Sequence, residues 1–190
     1  MKITFFAVAI SAAIISGCGN AGNQSMESDK MRDSLIKSNA HTVSPFTSPV
    51  YGLLQIYLKM KNELVNDNDK KAAKAGNELV KALDNFDQAI LREEEKKPFE
   101  GLADDSKKHA QNIAMNAGNI KYQREHFDTL SKDMYDMVTR FAAGESIYLD
   151  YCPMYKNNKG ALWLSEAIEI RNPYFGSAML TCGKTTETIQ

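Results

Sequence analysis

Two short clusters near the C-terminus pair a thiol with a thioether: Cys152-Pro153-Met154 and Met179-Leu180-Thr181-Cys182. Soft sulfur donors of this kind select Cu(I) and Ag(I), whereas Mg²⁺ and Ca²⁺ prefer hard oxygen ligands. If folding brings the two clusters together, the sequence predicts a sulfur-rich metal site. Its candidate ligands are Cys152, Met154, Met179 and Cys182.

The same two cysteines also fit a disulfide, because cysteines in an exported domain often pair and stabilise an irregular fold. A disulfide sulfur is no longer a thiolate ligand, so the disulfide and the metal site exclude each other at any instant. Free thiols are the third possibility. In the disulfide alternative the C-terminal region is a non-catalytic interaction surface, for which large aromatic side chains are the expected anchors. These are Trp163, Tyr174 and Phe175.

The histidines are weak candidates as ligands of the predicted sulfur site. His109 and His126 both fall in predicted helices, and neither has a second histidine three or four residues away to form a helical metal-binding face. His126 is therefore only a distant fifth ligand candidate for the sulfur site. It would join that site only if the C-terminal region folded back along the helices.

The N-terminus carries an export signal. After Lys2, an apolar run from Ile3 to Ile15 is too short to span a bilayer and fits a secretory signal peptide. It ends in Ile15-Ser16-Gly17-Cys18, which resembles the bacterial lipobox. We expect a lipoprotein signal peptide over 1–17 and a lipid anchor on Cys18; the alternative is a plain signal peptide with Cys18 incidental. The protein would then lie in the cell envelope, periplasmic or associated with the outer membrane, with 18–48 as a flexible tether.

Charge and motifs exclude several classes of function. The formal net charge of -1 argues against nucleic acid or an anionic membrane surface as the main partner. Hydrophobic residues make up 43% and charged residues 25% of the chain, which is typical of a soluble globular domain. The sequence has no G-x-S-x-G elbow, no phosphate-binding glycine loop and no H-E-x-x-H motif. We therefore expect a protein that is not an enzyme and needs no cofactor other than a possible Cu(I) or Ag(I) ion.

The elements that position these residues are mainly helical. Apolar residues recur at helical spacing through the middle of the chain, with Asn66 to Asp69 and Gly118-Asn119 as turns. The four predicted helices span about 49–65, 69–95, 102–117 and 120–141. Pro98 and Gly101 are expected to separate the second from the third, with Glu93 to Lys97 as a helix C-terminus. Residues 49–144 thus predict an antiparallel up-down four-helix bundle.

Residues 145–190 differ in kind, because they hold six of the seventeen aromatic residues together with Pro153, Pro173 and three glycines. Alternation over 146–151 and the run 161–164 predict strands. We expect a small irregular β-rich cap, packed on the bundle and carrying both cysteines, so that 49–187 form one domain. The fold class is mainly α.

Several motifs also resemble one bacterial family, domain-of-unknown-function family 3347. The resemblance covers about 49–187, and its motifs are Gln123-Arg124-Glu125-His126-Phe127, Tyr151-Cys152-Pro153-Met154, Trp163-Leu164-Ser165, Asn172-Pro173-Tyr174-Phe175-Gly176 and Met179-Leu180-Thr181-Cys182-Gly183. Members occur as exported proteins or lipoproteins, and the domain ends some CusB-like periplasmic adaptors of copper and silver efflux pumps. The resemblance therefore implies a soft metal as ligand and heavy-metal efflux components as partners, while the lipid anchor expected on Cys18 makes the membrane a further partner.

Overall fold

The computed structural model describes residues 48–190. The predicted signal peptide, the lipidation site Cys18 and nearly all of the predicted tether lie outside the described residues. No helix within 48–190 is long and apolar enough to cross a membrane.

Four long helices form the predicted bundle. They are α1 (Tyr51–Val65), α2 (Asp69–Asp84), α3 (Glu93–Met115) and α4 (Ile120–Phe141). Each helix packs against the next, and α4 also contacts α1, where the rings of Tyr57 and Phe127 stack with their centroids 5.1 Å apart. The apolar spacing that predicts the helices also supplies the core, which includes Leu54, Leu64, Leu79, Ile113, Phe127, Leu130 and Met134.

Asparagine side chains cap the first turns of two of these helices, at the two turns that the sequence predicts. Asn68 caps α2 by accepting a hydrogen bond from the Lys71 backbone N–H, and Asn119 caps α4 by accepting one from Tyr122. Such caps satisfy backbone donors that have no partner inside the helix. The short turns between helices are thereby fixed at both predicted positions.

The predicted boundary between the second and third helices is wrong. α2 ends at Asp84, a 3-10 turn follows at Gln88–Ile90, and α3 begins at Glu93, eight residues after the C-cap Asn85. Glu93 to Glu95 therefore lie in the first turn of α3, where their negative charge favours the positive end of the helix dipole. The Glu95 carboxylate accepts a hydrogen bond from the Arg92 backbone N–H at 2.9 Å.

Pro98 lies inside α3 rather than before it. Proline removes one helical hydrogen bond, here the bond that its nitrogen would donate to the carbonyl of Glu94. Glu94 is exposed, so water can bond that carbonyl, and the helix continues. This is why Pro98 does not end the helix as the sequence analysis expected.

Gly76 of α2 is a contact point between helices rather than the weak point that a helical glycine often is. A Cβ atom placed there would lie 2.8 Å from the Ala110 carbonyl oxygen and 3.1 Å from the Ala114 backbone nitrogen of α3. The missing side chain therefore lets the two backbones approach closely. The small residues Ala110 and Ala114 of α3 lie at this contact.

The cap contains a three-stranded antiparallel sheet with β1 (Ile147–Cys152) in the centre, flanked by β2 (Ala161–Ser165) and β3 (Lys184–Ile189). The sequence predicts β1 and β2 but not β3. Five of the six β3 residues are exposed, so this edge strand lacks the alternation of buried and exposed residues that reveals a strand.

A buried polar cluster and one arginine join the cap to the bundle. Tyr57 of α1 accepts a hydrogen bond from the Leu164 backbone N–H at 3.1 Å and contacts Ser131 of α4 at 2.8 Å. Arg124 of α4 donates to the Pro173 carbonyl at 2.7 Å, and to the Leu64 carbonyl and the Asp67 carboxylate at 2.8 and 2.6 Å. The loop that leads to Cys182 is thus tied to both ends of the α1–α2 turn.

Candidate functional site

The two cysteines of the cap meet, although they are 30 residues apart in sequence. Cys152 ends β1, Cys182 lies two residues before β3, and their sulfur atoms are 3.0 Å apart. The antiparallel pairing of Tyr151 with Lys184 explains the meeting, because it places the end of β1 beside the chain that enters β3. Both are free thiols; Cys152 is buried and Cys182 is half-buried.

Contact between the thiols changes how they hold protons. The hydrogen bond with Cys152, together with burial, raises the pKa of Cys182 to about 11. Cys182 therefore stays protonated at neutral pH. A metal ion that binds both sulfurs as thiolates must displace the proton of each thiol.

The loop before Cys182 is held by Asn172, which is buried. Its side-chain amide donates to the Cys182 carbonyl at 2.6 Å, and its backbone N–H donates to the Leu180 carbonyl at 2.7 Å. The Cys182 backbone N–H donates in turn to the Met179 carbonyl at 3.1 Å. These bonds fix the backbone of Cys182 while leaving its side chain half-exposed.

The two methionine candidates have separate positions. Met154 is 48% exposed and lines a groove with Lys121, Glu125 and Phe175, whereas Met179 is half-buried at the end of the 3-10 turn Gly176–Ala178. Of the four predicted sulfur ligands, the structure brings together the two thiols. Within 48–190, no group of three or more His, Cys, Asp and Glu side chains is placed to hold a metal ion.

His126 does not join the thiols, which corrects its place as their fifth ligand candidate. Its Nδ1 lies 3.0 Å from Nδ1 of His109, across the interface between α3 and α4. Spacing within one helix could not reveal this pair, because its members lie on different helices.

Two of the three predicted interaction anchors are wrong. Trp163 is fully buried and Tyr174 is 3% exposed, while Phe175 is half-buried. The Tyr174 ring lies against Trp163 with their centroids 5.9 Å apart and stacks on Tyr155 at 4.4 Å. These aromatic side chains fill the space between the sheet and the bundle, so they hold the cap in place and do not present it to a partner.

The groove beside Met154 is not evident from the sequence, because its walls come from separate segments of the chain. It has a volume of about 800 Å³, and the turn that follows Met154 forms one wall. Lys156, Asn157 and Asn158 of that turn adopt positive φ angles, and the Lys156 ammonium contacts the buried Asp128 carboxylate of α4. The turn is thereby attached to the bundle, next to a wall that carries Lys121 and Glu125.

The match with a known protein family lies in the helical part of the chain. Residues 53–146 match the model of a family described as "Protein of unknown function (DUF3347)". The chain belongs to this family. No curated protein and no solved structure matches the chain.

The DUF3347 match covers nearly all of α1 and continues through α4 to the entrance of β1. It is shorter than the range 49–187 over which motifs resemble the family, because it stops before the cap. Both His109 and His126 lie inside the DUF3347 match, whereas both cysteines lie beyond it. The thiol pair is therefore a feature of this chain that the family match does not explain.

Proposed function

We propose that this DUF3347 protein is a lipid-anchored envelope protein that binds Cu(I) or Ag(I) through Cys152 and Cys182 and supports metal efflux. The observation that carries the proposal is the 3.0 Å separation of two thiols that the sheet brings together from distant parts of the sequence. Thiolates select soft monovalent ions of this kind. The lipobox-like sequence at Cys18 and the resemblance to domains of efflux adaptors support the envelope setting and the metal.

A small movement would fit the pair to a metal. With metal-to-thiolate distances of about 2.3 Å, a trigonal site needs sulfur atoms about 4.0 Å apart, so the sulfurs must separate by about 1 Å. Cys152 is buried at a strand end, but the half-exposed Cys182 side chain can rotate about χ1. We propose Met179, whose carbonyl accepts the Cys182 backbone N–H at 3.1 Å, as the third sulfur, because Met154 instead lines the groove with Lys121 and Glu125.

The same separation supports a second candidate, an envelope protein whose cap is closed by a Cys152–Cys182 disulfide. Forming that bond requires the sulfurs to approach by about 1 Å, to about 2.05 Å. Closing a loop of this size would stabilise the domain by about 3–4 kcal/mol in the chain-entropy model. With Trp163 and Tyr174 buried, Phe175 remains the one predicted anchor with exposed surface for a partner. The two candidates are therefore the reduced and the oxidised state of one pair.

A competition titration separates the candidates. The protein extracted from membranes is reduced, and Cu(I) is added under argon against a chromophoric Cu(I) chelator. We expect one Cu(I) per chain and a loss of at least 100-fold in affinity in C152S and in C182S. M179L should weaken binding by about 10-fold, whereas M115L, which changes a 74% exposed methionine on α3, should not.

Unchanged Cu(I) affinity in the C152S/C182S double variant would contradict metal binding by the pair. Mass spectrometry of the untreated protein gives the redox state in the envelope. If the two cysteines are found fully linked in the untreated protein, the disulfide is the working state and the second candidate is favoured.

A further inference from the structure

We propose that His109 and His126 form a second metal site, for a divalent ion that prefers tetragonal geometry, Cu(II) or Ni(II). The two imidazoles project from neighbouring helices and face each other through their Nδ1 atoms, 3.0 Å apart. The site uses neither cysteine and lies in the bundle, so the proposal stands independently of the proposed function.

The distance between the nitrogens selects the geometry. Metal–imidazole bonds are about 2.05 Å long, so nitrogens 3.0 Å apart subtend an angle of about 94° at a shared metal. That angle is close to the 90° between adjacent positions of a square-planar or octahedral ion. Cu(II) and Ni(II) favour such tetragonal sites with nitrogen and oxygen ligands. The remaining positions are open to water because both histidines are only partly buried.

Other geometries require the helices to move. A tetrahedral Zn²⁺ site places its nitrogens about 3.3 Å apart, and a linear Cu(I) site places them about 4.1 Å apart. The first needs a small adjustment, whereas the second needs an opening of about 1 Å between side chains on packed helices. The pair therefore favours Cu(II) or Ni(II) over Zn²⁺, and all three over Cu(I).

Neighbouring contacts hold the two helices in the register that the site needs. One turn from His109, the Ile113 carbonyl accepts a hydrogen bond from the buried Gln123 side chain at 3.0 Å. The Tyr122 hydroxyl donates to the Asn112 side chain at 3.3 Å, and the Tyr122 ring lies against His126 with the centroids 4.6 Å apart. The Tyr122 ring thus packs against His126 on the face of α4 that contacts α3.

Burial, and for His109 also the neighbouring His126, lowers the pKa of each histidine below the ordinary value of 6.5.

The charges around the pair are balanced. Asp105 and Lys108 act on His109, and Glu125 and Lys156 act on His126. Repulsion of a cation by the two lysines is thus offset by the two carboxylates. Within the described residues, neither carboxylate is placed to join the two histidines as a third metal-binding side chain.

The test uses the full chain carrying C152S and C182S, which removes both cap thiols as competing ligands. Titration with Ni(II) followed by calorimetry should give one ion per chain, with affinity reduced at least 10-fold in H109Q and in H126Q. The matched control is H41Q, which changes the third histidine of the chain and should leave the affinity unchanged. Circular dichroism checks that each variant is folded.

A measurement on the unsubstituted histidine pair makes the test independent of variant folding. The Cu(II)-loaded protein should show an electron paramagnetic resonance spectrum of an axial tetragonal ion with hyperfine coupling to two imidazole nitrogens. Equal Ni(II) affinity in H109Q and H126Q, or a spectrum without imidazole coupling, would overturn the site. Tighter binding of Zn²⁺ than of Ni(II) would overturn the assignment of tetragonal geometry.

Discussion

Replacing Gly76 by alanine tests the close contact between α2 and α3. A Cβ atom at this position meets backbone atoms, the Ala110 carbonyl oxygen at 2.8 Å and the Ala114 nitrogen at 3.1 Å. Neither atom can move without shifting the helix. Overpacking of a well-packed contact costs about 1–3 kcal/mol. Because alanine also favours a helix by about 1 kcal/mol over glycine, the net effect of G76A alone is a poor measure of the contact.

Gly101 supplies the matched control that removes this ambiguity. It lies in α3, and a Cβ atom there has no neighbour within 4 Å. G101A therefore gains the helix preference without the packing cost and should stabilise the protein by about 0.5–1 kcal/mol. The difference between the two variants isolates the packing cost, so G76A should be less stable than G101A by about 1–3 kcal/mol.

Urea unfolding followed by circular dichroism measures both free energies of unfolding on the same protein preparation. The two variants should share one m-value, since neither changes the surface exposed on unfolding. If G76A and G101A stabilise the protein equally, α2 and α3 are not in the close contact described, and the account of the bundle at this point is wrong.

Three further predictions concern side chains that carry charge. R124K should lower the free energy of unfolding in urea by about 2 kcal/mol, because lysine cannot reproduce the forked contacts of Arg124; an unchanged midpoint would contradict this. E166Q should lower the free energy of unfolding by about 2 kcal/mol at pH 7, because it leaves the buried Lys61 ammonium without its carboxylate partner at 2.8 Å. Burial lowers the pKa of Lys61 below 10.5, so the stability difference between E166Q and the unsubstituted protein should shrink as pH rises through the pKa of Lys61 in the folded protein. A difference that does not depend on pH would refute the pairing. Burial, with Asp105 and Asp136 nearby, raises the pKa of Asp133 from 3.8 to about 6, so the folded state disfavours its ionised form and stability falls as pH rises between these values. D133N should therefore stabilise the protein by about 1 kcal/mol above pH 6, a figure reduced for the partial exposure of Asp133, and should give no gain below pH 4 in pH-dependent thermal unfolding.

The helical part of the fold follows from local sequence signals. Phe127, Leu130 and Met134 repeat at helical spacing and are fully buried, and the predicted turn at Gly118-Asn119 lies directly before α4. Where such a signal is overridden, the sequence misleads. Pro98 is typical of a helix boundary, yet it lies near the start of α3, where the bond that it removes involves the exposed residue Glu94, and α3 runs through it.

The candidate site was only partly predictable, because it depends on contacts between distant segments. The meeting of Cys152 and Cys182 requires β3, an exposed strand whose residues give no clear strand pattern. The pairing of His109 with His126 depends on the register between two helices, and spacing within either helix does not contain that register. Aromatic composition located the cap but could not show that Trp163 is interior, because large aromatic residues suit both cores and binding surfaces.

X-ray absorption spectroscopy of the Cu(I)-loaded protein tests the central claim most directly, because it reports the atoms bound to copper. The proposed function predicts a first shell of sulfur alone at about 2.2–2.3 Å, two of the sulfur atoms coming from Cys152 and Cys182. The same spectrum recorded on C152S/C182S protein should lose this shell. A first shell dominated by nitrogen or oxygen in the unsubstituted protein would contradict the assignment of the thiol pair as the soft-metal site.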